Sequence, residues 1–290
     1  MSYTQPRSIS ERAFRDIQTL FARESGIRLS FAKQSLVASR LHSRVQQLGL
    51  PDYESYFELI TGEPGGHEKT LLIDLLTTHE TYFFREPKHF EHLAQSVIPA
   101  LRGKPIRVWC AAASTGEEAY SAAMTLAATH HSGSWEVLGT DISERSLLTA
   151  ERGLYRIERL QHMPDAALKQ FCLRGKDDFA GAMLIASRLR ERMEFVRHNL
   201  LDVPRFGQFD VIFLRNVLIY FEQDMRQRIV ANALEALKAG GWLYTGHADS
   251  LQGLTLPLET FAPSLHRKVP LASDQGASSH TGGRDRAIEF

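Results

Sequence analysis

Residues 106–124, IRVWCAAASTGEEAYSAAM, decide the fold. A short β-favouring apolar run, residues 106–110, meets a turn of small residues. A helical stretch then begins at Glu117. Strand, small-residue turn and helix in that order form the layout of doubly wound α/β proteins, whose ligands sit beyond the carboxyl ends of the strands. The turn is not GxGxxG. It holds Ala111, Ala112, Ala113 and Ser114, with Gly116 as its single glycine. Glu117 and Glu118 open the helix. Acids there complement the helix dipole, so capping explains them in part. They also repel a pyrophosphate from the place where dinucleotides put it. The turn therefore argues against NAD or FAD and for a ligand that carries positive charge.

Further short apolar runs follow: WEVLGT, MEFVRHNLL, FDVIFL and GWLYTGH. Helical stretches separate the first two strands (117–130) and the last two (222–238). That alternation predicts a mostly parallel sheet with right-handed crossovers. Residues 160–190 break the rhythm and read as a small inserted hairpin-like unit. Asp141 ends the second run, 25 residues after Gly116. It serves either as acceptor for ribose hydroxyls or as N-cap for the following ISERSLLTAE. Asn199, Arg215 and Asn216 fall at the ends of the third and fourth runs. Turn formation would account for each alone, but the topology gathers them at the rim that holds Gly116 and Asp141. A nucleoside with a cationic appendage fits that rim, and S-adenosylmethionine is such a molecule.

Upstream, residues 10–75 carry helical periodicity and no strand signal. Phe14, Ile17, Leu20 and Phe21 form one stripe, with Ser8 and Glu11 spaced as a capping box. Val37, Leu41, Val45 and Leu48 form another. Asp52 is placed to cap a third helix with Tyr53, Phe57 and Ile60, and Leu71, Leu72, Leu75 and Leu76 make a fourth face. Residues 1–44 hold eight Lys/Arg against three Asp/Glu, and residues 45–74 hold one against six, so this region is electrically polarised. Lys33, Arg40 and Arg44 recur at spacings of 7 and 4 and predict one basic helix face. It reads as solvated surface or as a docking face for an acidic partner helix.

Composition narrows the rest. The chain has 290 residues, 43% hydrophobic and 23% charged, which is a globular composition. Lys+Arg and Asp+Glu both total 34, so bulk charge does not call for nucleic acid or membrane. Cys110 and Cys172 are the two cysteines, too few for a disulfide framework, and a reducing cytoplasm is expected. The start, MSYTQPRSISERAF, lacks a signal-peptide core, and no apolar run approaches a membrane span. No HExxH or CxxC spacing occurs, so no metal is expected. A monomer is expected. Residues 271–290, Gly/Ser-rich, are expected to be a disordered tail.

Between the helical region and the first strand lies TTHETYFFREPKHF, residues 77–90. It is too aromatic and cationic for a plain linker. Taken with AAASTGEEAYSAAM, GTDIS, FDVIFLRNVLIYF and GGWLYTGHADSL, in that order over residues 11–268, it resembles the chemotaxis receptor methyltransferases, the CheR family. The resemblance implies an all-α domain (1–76), a cofactor-covering segment (77–95) and a Rossmann-like S-adenosylmethionine-dependent methyltransferase domain (96–270). The insert becomes a β-subdomain, about 160–192. Members methylate glutamate side chains on the cytoplasmic helices of chemoreceptors, leaving S-adenosylhomocysteine.

Carried over to this sequence, His79, Thr81 and Arg85 contact the cofactor from the covering segment. Glu118 lies near its methionine part, Asp141 binds the ribose, and Asn199 with Leu200 borders the adenine. Arg215 and Asn216 line the floor, and Tyr220 lies near the transferred methyl. Arg85 and Tyr220 are the expected catalytic residues. The family commonly has Asn where this chain has His79. Tyr82, Phe83 and Phe84 serve either to accommodate the sulfonium or to pack the core. In some members the β-subdomain grips a receptor's C-terminal pentapeptide, and the helix bearing Lys33, Arg40 and Arg44 faces the receptor. RNVLIY lacks the (D/N)PP(Y/F) turn of amide and adenine N-methyltransferases, which weighs against DNA or glutamine as substrate. A non-catalytic S-adenosylmethionine-binding scaffold in a chemosensory array is the other reading.

Overall fold

A computed structural model describes residues 8–62, 66–130 and 133–269. The expected tail, from residue 271, lies outside the described residues. The chain divides into two compact units. One runs up to Thr78 and includes Ile142–Arg145, and the other begins at His79.

The first unit is helical. It contains α1 (Glu11–Ser25), a 3-10 turn (Phe31–Lys33), α2 (Gln34–Gln47), α3 (Tyr53–Gly62) and α4 (His67–Leu76). Phe14, Ile17, Phe21, Leu41, Tyr56 and Leu72 are fully buried between the helices. The cap of α1 corrects the sequence expectation. Ser10, not Ser8, is extended before the helix, and its Oγ accepts Ala13 N at 3.1 Å. Ile9 and Phe14 then occupy the two positions of a hydrophobic staple, and both are buried in one cluster. The Ser8 register would lose that packing. Asp52 caps α3 as expected, with Oδ1 accepting Ser55 N at 2.8 Å.

The basic face also differs from expectation. Lys33 lies in the 3-10 turn rather than in α2. Arg44 turns inward and grips Glu68 through two bonds, of 2.8 and 2.7 Å. Glu68 is 3% exposed and also accepts Tyr56 Oη at 3.0 Å. A carboxylate buried that deeply needs a cation. Arg40 donates to Leu76 O (2.6 Å), Thr77 O (3.0 Å) and Thr78 Oγ1 (3.3 Å), closing the carboxyl end of α4. Two of the three expected docking cations therefore hold the bundle together, and Lys33 remains on the exposed surface.

The second unit opens with residues 79–87, which form no regular element. Then come α5 (Lys88–His92), a π-turn (Leu93–Val97) and α6 (Ile98–Ala100). The alternating part is β1 (Ile106–Ala111), α7 (Glu117–Thr129), β2 (Trp135–Asp141) and α8 (Glu144–Arg152). The insert comprises β3 (Leu154–Arg156), a 3-10 turn (Ile157–Leu160), α9 (Asp165–Phe171), β4 (Cys172–Arg174), β5 (Ala182–Ile185) and α10 (Ser187–Arg190). The fold closes with β6 (Met193–Arg197), β7 (Phe209–Leu214), a 3-10 turn (Leu218–Tyr220), α11 (Gln223–Glu235), β8 (Leu237–Thr245), β9 (Leu258–Ala262) and β10 (Leu265–Lys268).

Seven strands pair in the order β6-β2-β1-β7-β8-β10-β9. The first five are parallel and the last two antiparallel. Alternation along the strands feeds two cores. Val108, Cys110, Val211 and Phe213 join one cluster with residues of α7, while Trp109, Ala111, Ile212 and Leu214 join another with residues of α11. A sheet buried on both faces explains why β1 and β7 read as largely apolar runs, with Arg107 and Asp210 as the exceptions. The insert is a three-stranded antiparallel sheet, β3-β5-β4, and it starts at Leu154, earlier than the expected 160.

Candidate functional site

Strand register sets the rim. Ala111 stands opposite Thr140 and Leu214, Asp141 opposite Arg197, and Leu214 opposite Thr245. The loops after β1, β6, β7 and β8 thus leave the second unit's sheet along one edge, where β2 also ends at Asp141. Backbone strain gathers there. Among the described residues six non-glycines have positive φ, and five of them are at this edge or on the covering segment: Phe84 (55°), Glu86 (56°), Ala112 (67°), Ser114 (50°) and Asn216 (55°). Such residues cost about 1–3 kcal/mol each and persist where surrounding structure over-determines them, which is characteristic of sites.

The turn after β1 is held tightly. Ala113 N donates to Thr140 O (2.8 Å), Ser114 N to Asp141 Oδ2 (2.8 Å) and Tyr155 Oη to Thr115 O (2.6 Å). Gly116 has φ 95°, and a Cβ there would come within 2.7 Å of Ala150 Cβ. The two glutamates that follow do different things. Glu117, fully buried, accepts from Thr115 Oγ1 (2.6 Å) and Arg159 Nε (3.1 Å), tying the turn to the insert. Glu118 faces the site instead, where its Oε2 accepts Arg215 Nη1 at 3.1 Å.

Arg215 is the hub of the floor. It is 4% exposed. Its Nη2 donates to Arg85 O at 2.5 Å and pairs with Glu86 Oε2 at 3.0 Å. One guanidinium thus joins β7, α7 and the covering segment. Burial pushes the Glu118 carboxyl up to about 7, against the pull of Arg215 and with the push of Glu86. Burial works the same way on Glu86, but Arg215 and the His247 and Asn216 donors outweigh it and hold that carboxyl below its ordinary value. Two acids therefore share one buried cation, and Glu118 is the one short of positive charge.

The loop after β8 completes the floor. Asp249, 4% exposed, accepts from Asn216 N, from Gly246 N at 2.9 Å and from Ile219 N at 3.2 Å. Burial raises its carboxyl despite those donors. Glu86 Oε1 accepts Asn216 Nδ2 and His247 N, both at 3.2 Å. These acceptors hold Asn216 in its left-handed conformation. Sequence reasoning named Arg215 and Asn216 but missed Glu86 and Asp249, which hold them, and the neighbouring His89 and His247. Within the quoted FFREPKHF and GHADSL stretches, the charged residues beside Pro87 and beside Gly246 were the available signal.

The remaining expected residues are placed as follows. Asp141 is 8% exposed at the end of β2 and bonds the β1 turn. Asn199 accepts Leu201 N on Oδ1 at 3.1 Å, and the half-buried Leu200 packs on the α11-side core. His79 Nδ1 lies 3.1 Å from Ser146 Oγ, and Thr81 is half-buried. Arg85 donates to Glu80 O at 3.1 Å and lies 5.7 Å from the Tyr82 ring centroid, so its guanidinium rests along its own segment. Phe83 packs edge-on to Tyr155 and Phe84 edge-on to Phe90, which is core packing. Tyr220 is half-buried in the 3-10 turn after β7. The rim as a whole, among the described residues, offers carboxylates, and the arginine that reaches the β1 turn, Arg159, is paired with Glu117 there. It suits a neutral nucleoside bearing a cation and disfavours a nucleotide phosphate.

Comparison with known proteins agrees with this chemistry. Residues 79–263 match the domain described as "CheR methyltransferase, SAM binding domain", and residues 12–77 match "CheR methyltransferase, all-alpha domain". The chain is 38% identical to a chemotaxis protein methyltransferase of Escherichia coli over 260 residues, 88% of this chain and 90% of the relative. It is 38% identical to chemotaxis protein methyltransferase 2 of Pseudomonas aeruginosa, covering 82% and 86%. A chemotaxis protein methyltransferase of Salmonella typhimurium is 36% identical, covering 88% and 89%.

Proposed function

The chain belongs to the CheR methyltransferase family, and we propose that it methylates glutamate side chains on the cytoplasmic helices of chemoreceptors, using S-adenosylmethionine, in chemotaxis adaptation. The observation that carries this reading is the buried Glu118–Arg215–Glu86 arrangement. It leaves a carboxylate at the strand-end rim in need of a second cation, and the cofactor's ammonium and sulfonium supply positive charge. Glu118 takes the methionine part, Asp141 the ribose hydroxyls, and Asn199 with Leu200 the adenine edge. His79 and Thr81 close over it from the covering segment.

The chemistry is a single displacement. A receptor glutamate has an ordinary pKa near 4.3 and is ionised at neutral pH, so no general base is needed. One carboxylate oxygen attacks the methyl carbon. The carbon–sulfur bond breaks, its electron pair stays on sulfur, and the sulfonium becomes the neutral thioether of S-adenosylhomocysteine. The protein must dehydrate the nucleophile and hold it in line with the methyl, at about 3–3.5 Å. Arg85 is the residue we assign to orienting a carboxylate through its planar fork, and Tyr220 borders the reacting methyl. Docking through the first unit rests on Lys33 rather than on Arg40 and Arg44. The enzyme acts as a monomer in the cytoplasm, where receptor helices are reached, and the insert is the surface for any receptor C-terminal pentapeptide.

Incubation with methyl-labelled S-adenosylmethionine and a receptor cytoplasmic fragment tests this. Label released as methanol by mild base identifies a carboxyl ester. Glu→Gln replacement at the labelled receptor positions should abolish it. Base-stable label, or label on a receptor stripped of those glutamates, would refute the glutamate assignment.

A further inference from the structure

The segment after Arg85 and the loop after β8 bring together Glu86, the partner of Arg215, and two histidines that the methyl transfer above does not use. Glu86 Oε2 lies 3.6 Å from His89 Nδ1 and 4.0 Å from His247 Nε2, and all three atoms fall within 4.8 Å of one another. We propose that Glu86, His89 and His247 form a reversible site for a borderline divalent metal ion such as Zn2+, whose occupancy inhibits the enzyme.

The geometry around His89 points to a cation. The ring is fully buried and stacks on Tyr244, with centroids 5.2 Å apart. Its Nε2 lies 2.8 Å from Ser264 Oγ. Its Nδ1 has no hydrogen-bond partner. With the proton on Nε2 and donated to Ser264, Nδ1 turns a lone pair on the Glu86 carboxylate at 3.6 Å. Glu86 Oε2 is compensated by Arg215 at 3.0 Å, whereas the buried Nδ1 lone pair is not, and a cation between the two acceptors would satisfy it. A second-sphere partner on the far ring nitrogen is what fixes the tautomer of a ligating histidine. Glu86 is oriented in the same way, because its other oxygen is held by Asn216 Nδ2 and His247 N.

Donor type and spacing select the ion. Two imidazoles and one carboxylate suit zinc and its neighbours rather than calcium or magnesium. Zinc binds such ligands at about 2.0–2.2 Å, which puts them roughly 3.3 Å apart in a tetrahedron. The Glu86–His89 pair is already near that separation. The His247 side chain, 61% exposed, has room to close the remainder. Solvent reaches the site from that side and would fill the fourth position. Metal-site spacing was invisible in the sequence because His247 lies 161 residues from Glu86.

Inhibition follows from Arg215. Its Nη2 pairs with the same Glu86 oxygen at 3.0 Å, so a metal ion and the guanidinium compete for it. An ion that displaces Arg215 from Glu86 leaves Arg215 to Glu118 alone. That neutralises the carboxylate assigned to the cofactor. The inhibitory half of the proposal rests on the methyltransferase reading, and the binding half does not.

The test uses the full chain, freed of metal with EDTA. Equilibrium dialysis against Zn2+ should show one bound equivalent that His247→Ala and Glu86→Gln weaken at least about tenfold, as expected when a ligand is lost. His42→Ala, on α2 in the other unit, should leave it intact. Co2+ in place of Zn2+ should give the visible absorption of a low-coordinate nitrogen–oxygen site, absent in His247→Ala. Zn2+ should slow methyl transfer by wild type reversibly and spare the residual activity of His247→Ala. Equal zinc binding by wild type and His247→Ala, or none by wild type, overturns the site. Binding without loss of turnover overturns the inhibition. Absence of any methyl transfer refutes the proposed function while leaving the dialysis result standing.

Discussion

Replacing Glu118 with Gln should flatten a pH dependence that the wild-type protein shows for its cofactor. Burial sets the Glu118 carboxyl at about 7, so the empty site holds a proton there in mildly acidic solution. A cationic ligand favours the carboxylate, and the proton must leave as the ligand arrives. For a carboxyl raised in the free protein and lowered in the complex, affinity is full above pH 7 and declines as pH falls below it. The apparent Kd scales with 1 + 10^(7−pH), which weakens binding about eightfold from pH 7.5 to 6, or about 1.2 kcal/mol. The ligand's own α-amino group, about 7.7–8.0 in model compounds, stays mostly charged across that window. Calorimetry with S-adenosylhomocysteine in two buffers of different ionisation enthalpy should show about three-quarters of a proton released per ligand at pH 6.5. Glu118→Gln should show neither the slope nor the proton release, and should bind about 1.5–3 kcal/mol more weakly at pH 7.5. A wild-type Kd constant between pH 6 and 7.5 would refute the reasoning. So would an unchanged slope in Glu118→Gln, which would move the proton to another acid such as Asp249.

Asp141→Asn should weaken S-adenosylmethionine and S-adenosylhomocysteine alike by about 1.5–3 kcal/mol; unchanged calorimetric affinity would leave Asp141 a structural role, as acceptor of Ser114 N, and none in binding. Arg85→Ala should cut single-turnover methyl transfer by orders of magnitude without lowering the melting temperature, and Arg85→Lys should restore part of it, because lysine keeps the charge but not the fork. Near-wild-type turnover in Arg85→Ala would confine the side chain to its contacts with Glu80 O and Tyr82. Arg44→Ala takes the paired guanidinium from the buried Glu68 and should cost about 2–3 kcal/mol in urea unfolding, below the range for fully buried pairs because Arg44 is a quarter exposed. Lys33→Glu should leave unfolding unchanged and raise the KM for receptor; an unchanged KM would remove docking from this turn.

The parallel core was legible because burial on both faces writes itself as mostly apolar runs. FDVIFL coincides with β7 residue for residue. The strand β9 was not legible for the opposite reason. β9 is an edge strand with three of five residues exposed, so LETFA carries no apolar run to read. The α1 cap failed for a different cause. Ser8 and Ser10 both offer an oxygen before the helix, and the choice is made by Ile9 packing in the same cluster as Phe14. The inward bonds of Arg40 and Arg44 were not legible because spacing reports which way a charge points, not whether a buried acid such as Glu68 claims it.

The site divided along the same line. Residues that follow an apolar strand, such as Asp141, Asn199, Arg215 and Asn216, are legible because topology alone brings strand ends together. The groups that fix them come from a segment before the sheet and a loop after its fifth parallel strand, and no periodicity links Glu86 to Asp249. Their necessity is nonetheless physical. Arg215 ends β7 at a point where its charge is buried, and a buried guanidinium needs carboxylates in fixed places. The chain supplies Glu118 from the first turn of α7, but Glu118 alone would be satisfied and unavailable to a cofactor. A second acid is required to draw Arg215 off it. Glu86 does so from a backbone at φ 56°, and Asn216 donates to it from one at φ 55°. The strain at these two positions is thus tied to one outcome, a carboxylate at the rim that is buried and under-compensated until a cation arrives.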